Sequence, residues 1–285
     1  MIAILIKTYN REKTLFNTLE SISKFCKNIE YKLYIFDDSN KISNEKIIYY
    51  DKLKCSNHFI YCTESKTSVT AARNFLVQNL EDEKYVLRID DDFEFNKDTK
   101  LEVLISILDF DSRIGVISGI EKQIGTGKGV LNGEISPRQG FFKIEDEVLI
   151  KNNVPVKNWK FNKTNKNHRF SYCDFSRNFL MIRRSVFNDI SWDESLPFHG
   201  EHEDFMLQIK QSPWKLAFSP DSMHFHREDL SIEERNKYKE EKMILNKKSD
   251  WAKYFYIKWK VKKRKNSYPL LYNLERKLKS IIGIH

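Results

Sequence analysis

Tyr85-Val86-Leu87-Arg88-Ile89-Asp90-Asp91-Asp92 is the stretch that decides the fold, a mostly apolar run followed at once by three aspartates. Its first five residues are β-branched, aromatic or aliphatic for the most part and predict a buried strand. Three like charges at a strand end repel one another, and a divalent cation such as Mg²⁺ or Mn²⁺ would remove that conflict. Ligands of open α/β sheets bind beyond the carboxyl ends of the strands. We therefore expect a metal and phosphate site here, with a solvated acidic turn as the alternative.

Strand and helix patterns alternate along the first 120 residues. The predicted strands cover residues 2–6, 32–36, 58–61, 85–89 and 115–118, and the predicted helices cover 12–27, 44–52, 69–80 and 99–108. Such alternation predicts an α/β fold with a doubly wound, mostly parallel sheet. Between about 121 and 170 the pattern gives way to polar loop sequence. Further strands at 178–182 and 215–218 and helices at 184–190, near 201 and at 232–247 follow.

Composition restricts the class of protein. The 285 residues are 40% hydrophobic and 13% aromatic, which is enough for a sizeable core, and no apolar run reaches the length of about 18 residues that predicts a transmembrane helix. The four cysteines lack zinc-site spacing, so we expect reduced thiols in a cytoplasmic protein. The net charge is +9, and residues 251–285 hold ten Lys or Arg against one acid, ten minus one being +9. The main body is therefore nearly neutral, which argues against a nucleic-acid enzyme.

Five stretches in chain order resemble the motifs of GT-A fold glycosyltransferases in the style of family 2. They are Ile6-Lys-Thr-Tyr-Asn-Arg11, Phe36-Asp-Asp-Ser39, Ala71-Ala-Arg-Asn74, Asp90-Asp-Asp92 and Trp192-Asp-Glu-Ser-Leu-Pro-Phe-His-Gly-Glu201. Val86–Phe93, Asn178-Phe-Leu and His202-x-Asp204-Phe205 are similar to the β-1,4-N-acetylgalactosaminyltransferases in particular. The resemblance implies a GT-A domain over residues 1–228, with a nucleotide-binding half at 1–120 and an acceptor-binding half at 121–228. A helical basic extension at 229–285 follows.

The resemblance also implies a UDP-sugar donor, whose diphosphate leaving group calls for Mn²⁺ or Mg²⁺. We predict Asp92 and His226 as metal ligands, with His224 in reserve and a surface histidine as the alternative for His226. Asp38 is expected to accept a hydrogen bond from uracil N3, with Asp37 supporting it, although an Asp-Asp turn is an ordinary structural feature. The nucleotide-sugar residues so predicted are Thr8, Tyr9, Arg11, Asp37, Asp38, Arg73, Asp90 and Asp91.

The acidic cluster at 201–204 is where we expect the catalytic base. The resemblance places a carboxylate at Asp204, which we predict to accept the proton of the acceptor hydroxyl in a direct, inverting attack. Glu201 and Glu203 would bind acceptor hydroxyls or exchange roles with Asp204. His202 stands where family 2 commonly has Asp and is a further candidate base. Acidic residues also stabilise a helix N-terminus without any catalytic role. Trp192 is predicted to stack on an acceptor sugar, with a core position equally compatible.

We therefore predict transfer of GalNAc or another hexose derivative from a UDP-sugar to a hydroxyl of a surface glycan or glycolipid. The second hypothesis is a sugar nucleotidyltransferase. It is disfavoured because the sequence has no glycine-rich first turn with a basic residue that could bind a triphosphate. A non-enzymatic nucleic-acid-binding or scaffold protein that uses the tail is the third. The tail interleaves aromatic and basic side chains and predicts contact with an anionic membrane surface, so we expect a peripheral location on the cytoplasmic face. A helix packed on the enzyme is the alternative, and no nucleic-acid partner is expected.

Overall fold

The computed structural model describes residues 1–54, 58–126, 133, 135–136, 138–229, 233, 236, 240 and 250–269. Four parallel strands lie in the order β3-β2-β1-β4 and form one side of its main sheet. They are β1 (Ile2–Thr8), β2 (Tyr31–Asp37), β3 (Phe59–Cys62) and β4 (Tyr85–Asp90), and they alternate with α1 (Glu12–Phe25), α2 (Asn44–Lys54), α3 (Val69–Gln78) and α4 (Leu101–Phe110). The predicted doubly wound α/β arrangement of this half is confirmed.

The second half of the main sheet is mixed. It continues from β4 in the order β11-β6-β12-β10-β9, and β5 pairs with the far end of β12. These strands are β5 (Phe93–Glu94), β6 (Ile114–Ile124), β9 (Asn162–Lys163), β10 (Arg169–Cys173), β11 (Leu180–Arg183) and β12 (Lys215–Arg227). Because Phe93 pairs with His226 across β5 and β12, the end of β12 is drawn against the aspartate triplet.

A second, three-stranded sheet contains segments that the sequence analysis assigned differently. It has the order β13-β8-β7, formed by β7 (Gly140–Glu145), β8 (Val148–Asn153) and β13 (Lys263–Ser267). The β7–β8 hairpin replaces part of the loop expected at 121–170, because Phe142 and Leu149 enter the core while Phe141 and Ile144 stay exposed. β13 lies in the basic extension, which was expected to be helical throughout. Its polar sequence does not predict a strand, and the strand forms because β13 pairs in parallel with β8.

Three further features position the site. Helix α5 (Glu201–Gln211) starts where the sequence predicted, a 3₁₀ turn occupies Arg184–Asn188, and α6 (Trp251–Lys258) packs Phe255 into the core. The helix expected at 232–247 lies almost wholly outside the described residues, as does the helical extension beyond residue 269, and the domain boundary at 228 stays a prediction. In the part of the chain that the structure describes, no helix is long and apolar enough to cross a bilayer.

The apolar faces of the helices hold the main sheet from both sides. Leu15, Leu19 and Ile22 of α1 are fully buried in one core cluster together with the α4 residues that repeat at the same spacing. Leu76 of α3 is buried in the other cluster. Burial on both faces leaves the carboxyl ends of the parallel strands as the open edge of the sheet, which is where its polar side chains gather.

Candidate active site

A cleft of about 410 Å³ opens beyond the carboxyl ends of β1 and β4. One wall carries Lys7, Tyr9 and Arg11 from the end of β1 and the turn after it, and the floor is formed by residues 90–92. The opposite wall comes from residues 198–203 at the start of α5, with Arg264 of β13 at its margin. The structure therefore brings the first, third, fourth and fifth predicted motifs to one site, at the sheet edge where the sequence analysis expected it.

The arginine Arg11 neutralises two of the three aspartates. Its Nη1 donates to Asp91 Oδ1 and its Nη2 to Asp92 Oδ2, each at 2.8 Å. Thr8 Oγ1 donates to the other oxygen of Asp91 at 2.7 Å. Burial raises the pKa of Asp91, and Arg11 only partly opposes this effect. The like-charge repulsion expected at this strand end is thus relieved in part by a guanidinium that bridges the two carboxylates.

Asp90 points to the other side of the strand end. Burial would raise its pKa, but the Arg88 guanidinium holds the pKa well below its usual range. Arg73 Nη2 lies 3.5 Å from the same carboxylate, and Arg73 Nη1 lies 3.9 Å from Glu201 Oε1. Arg73 therefore links the aspartate floor to the start of α5 and lines the cleft between them.

Asp92 and His226, the two predicted metal ligands, lie next to each other. His226 Nε2 lies 3.4 Å from Asp92 Oδ2, and His226 Nδ1 lies 3.5 Å from Glu121 Oε1. The buried Oδ1 of Asp92 has no hydrogen-bond partner among the described residues. Burial raises the pKa of Asp92, but Arg11 and His226 outweigh it and bring the pKa to about 2, so this carboxylate is charged at neutral pH.

The donor set fits a hard divalent cation shared with a ligand. No group of three or more His, Cys, Asp or Glu side chains placed to hold a metal ion occurs in the described parts of the chain. Two protein ligands with diphosphate oxygens or water completing the shell would suit Mn²⁺ or Mg²⁺, which keep substrate and water ligands in many phosphate sites. Glu121 would orient the His226 ring from behind, as carboxylates do for metal-binding histidines.

The reserve ligand His224 lies elsewhere. Its side chain is fully buried and its ring stacks on Phe179 with 4.3 Å between ring centroids. Burial lowers the pKa of His224, so the ring is neutral in this apolar setting. Although it shares a strand face with His226, its side chain is 0% exposed, whereas that of His226 is 17% exposed and reaches Asp92.

The Asp37–Asp38 pair is engaged in the interior. Asp37 is fully buried and accepts hydrogen bonds from Lys46 at 2.7 Å and Tyr50 at 2.8 Å. Burial raises the pKa of Asp37, but Lys46 outweighs it and leaves the pKa below its usual value. Asp38 accepts from Lys7 Nζ at 2.6 Å and from the backbone N–H of Thr67 at 2.8 Å. Asp38 thus fixes Lys7 at the cleft wall, and its contact with uracil stays a prediction.

The start of α5 presents three of its four polar residues to the cleft. Gly200 precedes the helix with φ +82°, a conformation that favours glycine, and a Cβ there would lie 3.1 Å from a Phe255 ring carbon. Glu201 is buried, whereas the His202 side chain is 31% exposed and its Nε2 lies 3.2 Å from Glu201 Oε1. Asn178 Nδ2 lies 2.8 Å from the same ring nitrogen. Glu203 is held by Lys151 Nζ at 2.6 Å.

The structure does not bring the predicted base, Asp204, to the cleft. Its side chain turns to α6, where Trp259 Nε1 donates to Oδ1 at 2.9 Å and Lys258 Nζ lies 2.7 Å from the same oxygen. Gln208 Nε2 donates to Oδ2 at 2.7 Å, and the residue is 0% exposed. Both oxygens are occupied away from the solvent, so Asp204 ties α5 to α6. Glu201 still lines the cleft, because a step of three residues sets it about 60° from Asp204 around the helix.

Trp192 occupies the core position that the sequence analysis left open. It is 3% exposed, stacks on Phe205 with 4.9 Å between ring centroids, and has the Arg73 guanidinium over its ring at 5.7 Å. It supports Arg73 from beneath and is not part of the cleft lining.

Some residues that contribute to the site were not predicted, and Arg88, Glu121, Lys151 and Arg264 are among them. Arg88 is a charged residue inside a strand that is otherwise apolar, and that anomaly was a usable signal for a buried partner such as Asp90. Glu121, Lys151 and Arg264 reach the site only through contacts between distant segments. Glu121 is brought by β6 pairing with β12, Lys151 by β8 lying beside α5, and Arg264 by β13 pairing with β8. No local pattern in the sequence marks them.

The family model described as Glycosyl transferase family 2 matches residues 3–191, a span that includes β1, the aspartate triplet and Asn178. The chain belongs to this family. Both the resemblance to family 2 and the GT-A fold are confirmed. The narrower likeness to the β-1,4-N-acetylgalactosaminyltransferases stays a prediction.

Solved structures share the fold at low sequence identity. The crystal structure of GalNAc-T7 with UDP, GalNAc and Mn²⁺ is 22% identical with a TM-score of 0.63, and the match covers 81% of this chain and 43% of that one. S. aureus TarS 1–349 in complex with UDP-GlcNAc is 16% identical with a TM-score of 0.54, covering 80% of this chain and 59% of that one. This glycosyltransferase thus spans about half the length of those chains.

Proposed function

We propose that this chain is a metal-dependent, inverting glycosyltransferase that uses a UDP-sugar and glycosylates a hydroxyl of a surface glycan or glycolipid. The observation that carries the proposal is the contact between Asp92, which lines a polar cleft of about 410 Å³, and His226, whose Nε2 lies 3.4 Å from Asp92 Oδ2. The UDP, GalNAc and Mn²⁺ of the GalNAc-T7 structure and the UDP-GlcNAc of the TarS structure support a UDP-linked N-acetylhexosamine as donor.

The charges of the cleft suit a diphosphate held through a cation. Four cationic and five acidic side chains line the cleft. They are Lys7, Arg11, Arg73 and Arg264, and Asp90, Asp91, Asp92, Glu201 and Glu203. A bare diphosphate would meet a near-neutral surface, and a divalent ion bound at Asp92 and His226 would tip the balance towards anion binding. When bound, that ion would stabilise the negative charge that develops on the leaving group. Arg73, between Asp90 and Glu201, would contact the phosphates directly.

His202 is the base that the contacts favour over Asp204. It lines the cleft, and its 31% side-chain exposure contrasts with the buried Glu201 and the ion-paired Glu203. In this proposal Nδ1 of His202 accepts the proton of the acceptor hydroxyl, while the Nε2–H points to Glu201 at 3.2 Å, which stabilises the imidazolium that forms; Asn178 lies beside the same ring. One base on the acceptor side and direct attack give inversion at the anomeric carbon.

The described part of the tail supports a peripheral membrane site for a lipid-linked acceptor. Phe255 of α6 is buried on the enzyme, whereas Ile257 is 67% and Tyr254 is 39% exposed, next to the exposed Lys253 and Lys260. Exposed apolar and basic side chains on one short helix suit the interface of an anionic bilayer. Liposome flotation tests this part: equal recovery with neutral and anionic vesicles removes the electrostatic contribution.

The central test is a panel of UDP-sugars with Mn²⁺, read by UDP release. We expect turnover selective for one N-acetylhexosamine donor, loss of turnover with EDTA, and loss in Asp92→Asn. Asp82→Asn is the matched control, since Asp82 is an exposed aspartate away from the cleft. Undiminished activity of Asp92→Asn would remove the metal assignment, and no turnover with any donor in the wild type would remove the proposed function.

A further inference from the structure

A second cavity adjoins the cleft at the start of α5. It has a volume of about 110 Å³ and lies between α5, the β7–β8 hairpin and residues 175–178, and it shares His202 and Glu203 with the main cleft. Asp90, Asp91 and Asp92 do not line it. An acceptor whose hydroxyl reaches His202 from the cleft would therefore place its neighbouring substituents in this cavity.

The side chains around this cavity are mostly cationic or apolar. Arg138, Lys151 and Arg177 line it, and Glu203 is the only carboxylate among its described lining residues. Lys151 is paired with Glu203, so within the cavity lining the guanidinium groups of Arg138 and Arg177 have no carboxylate left to pair with. Glu203 itself also lies 3.6 Å from Arg264 Nη1, which neutralises it from the cleft side.

Arg177 is partly compensated from behind, and Arg138 is not. Arg177 Nη2 lies 2.6 Å from the buried Glu121. Burial nonetheless lowers the pKa of Arg177 to about 10, and Arg138 adds to that effect against the opposing influence of Glu121. The Arg138 side chain is exposed and makes no hydrogen bond or ion pair with the other described residues. Arg138 thus brings to the cavity a positive charge with which no acidic side chain in the described part of the chain forms an ion pair.

The apolar part of the lining strengthens the effect of this charge. Phe142 and Phe175 pack with ring centroids 5.0 Å apart, Met206 closes the side towards α5, and Lys151 Nζ lies 5.5 Å from the Phe175 ring centre. Charges act more strongly beside low-dielectric walls than in open water. Guanidinium groups match phosphate and carboxylate oxygens with paired donors.

We propose that this cavity is an acceptor subsite for an oxyanion, a phosphate or a carboxylate carried by the acceptor next to the hydroxyl that receives the sugar. The inference rests on the proposed function, because it assumes that the acceptor approaches His202 from the main cleft. It narrows the acceptor class from any surface glycan to one with an anionic substituent, with Arg138 and Arg177 as the side chains that recognise it.

The test compares acceptors that differ only in charge, such as a neutral hexoside, its 6-phosphate and the corresponding uronide, at equal ionic strength. We expect the anionic members to have a kcat/KM at least about tenfold above the neutral one, the effect of one charge-assisted hydrogen bond. The phosphate and uronide arms separate the two sources of the oxyanion. Arg138→Gln is expected to remove the preference, and Lys163→Gln, which deletes an exposed charge of β9 outside the cavity, to keep it.

Each variant's rate is referred to its own hydrolysis of the UDP-sugar without acceptor. A wild type that hydrolyses a UDP-sugar but transfers equally well to neutral and anionic acceptors, or an Arg138→Gln variant that keeps the preference, overturns the subsite and leaves the proposed function standing. If no acceptor of the panel is glycosylated, the subsite is tested by titrating the chain, loaded with UDP and Mn²⁺, with inorganic phosphate. Binding weakened about tenfold by Arg138→Gln supports the subsite, and equal or absent binding overturns it.

Discussion

The Arg11 bridge gives the sharpest quantitative prediction, because one side chain neutralises two carboxylates of the proposed metal site. The side chains of Arg11, Asp91 and Asp92 are 11%, 6% and 11% exposed, and the two ion pairs measure 2.8 Å each. Replacing Arg11 by Met keeps most of the aliphatic stem and removes the charge. Breaking a buried pair from one side costs about 3–5 kcal/mol. Thr8 and His226 remain beside the two aspartates, so we expect the lower end, about 3 kcal/mol.

The loss should depend on the metal. Without a divalent ion, about 3 kcal/mol corresponds to a fall in Tm of roughly 6–12 °C for a chain of this size class. Mn²⁺ at Asp92 would supply the positive charge that Arg11→Met lacks, and a ligand at about 100 times its Kd adds about 2.7 kcal/mol to stability. Wild-type protein should gain less, because there Mn²⁺ must compete with the guanidinium for Asp92.

The assay is calorimetric unfolding of both proteins in EDTA and in Mn²⁺. Arg113→Met is the matched control, because Arg113 also forms an ion pair with an aspartate, Asp111, but the Arg113 side chain is 69% exposed. A surface pair of this kind contributes about 0–1 kcal/mol, so its removal should change Tm little, with or without metal. An Arg11→Met variant as stable as the wild type in EDTA, or one stabilised by Mn²⁺ no more than the wild type, would refute the reasoning.

Three further substitutions separate chemistry from structure in α5. His202→Ala should lower kcat by about 10²–10⁴-fold, the range of a general base, with UDP affinity by thermal shift little changed; a kcat within twofold would contradict the role. Asp204→Asn should cost about 1–3 kcal/mol in urea unfolding, because it weakens charge-assisted hydrogen bonds to Lys258 and Trp259, yet leave kcat near wild type at a temperature where the variant is folded. Gly200→Ala should lose about 1–2 kcal/mol, since φ +82° is left-handed and Phe255 crowds the new Cβ; an unchanged urea midpoint would show that the turn relaxes.

The parallel half of the fold was predictable because its signals are local. Apolar runs such as 2–6 and 85–89 and the helical spacing of Leu15, Leu19 and Ile22 each determine one element, and strand–helix alternation then allows few topologies. The β7–β8 hairpin and β13 were not predictable in this way. Lys263–Ser267 has no apolar alternation, and it becomes a strand because β8 offers an unpaired edge.

The aspartate triplet and His226 could be placed from the sequence for a related reason. A charged triplet at the end of a predicted strand has a position in any α/β sheet, and His226 needed only that β12 run back towards the same edge. The directions of individual side chains did not follow from that position. Whether Asp91 faces Thr8 and Asp90 faces Arg88 depends on the pleat and on partners from other strands.

Asp204 turns away from the cleft for a physical reason that applies to any acidic helix start, and its role as base stays a prediction that the structure does not favour. The four residues at the start of α5, 201–204, are spread around almost one full helical turn. About half of them must therefore face the protein interior, whatever their chemistry. Which half is decided by what packs behind the helix, and here that is α6, whose Trp259 and Lys258 bind Asp204 from more than fifty residues along the chain. The family model ends at residue 191, ahead of both α5 and α6. Roles in the acceptor half of this glycosyltransferase therefore have to be read from contacts such as Lys258–Asp204 and Lys151–Glu203, and the predicted contrast between His202→Ala and Asp204→Asn tests that reading directly.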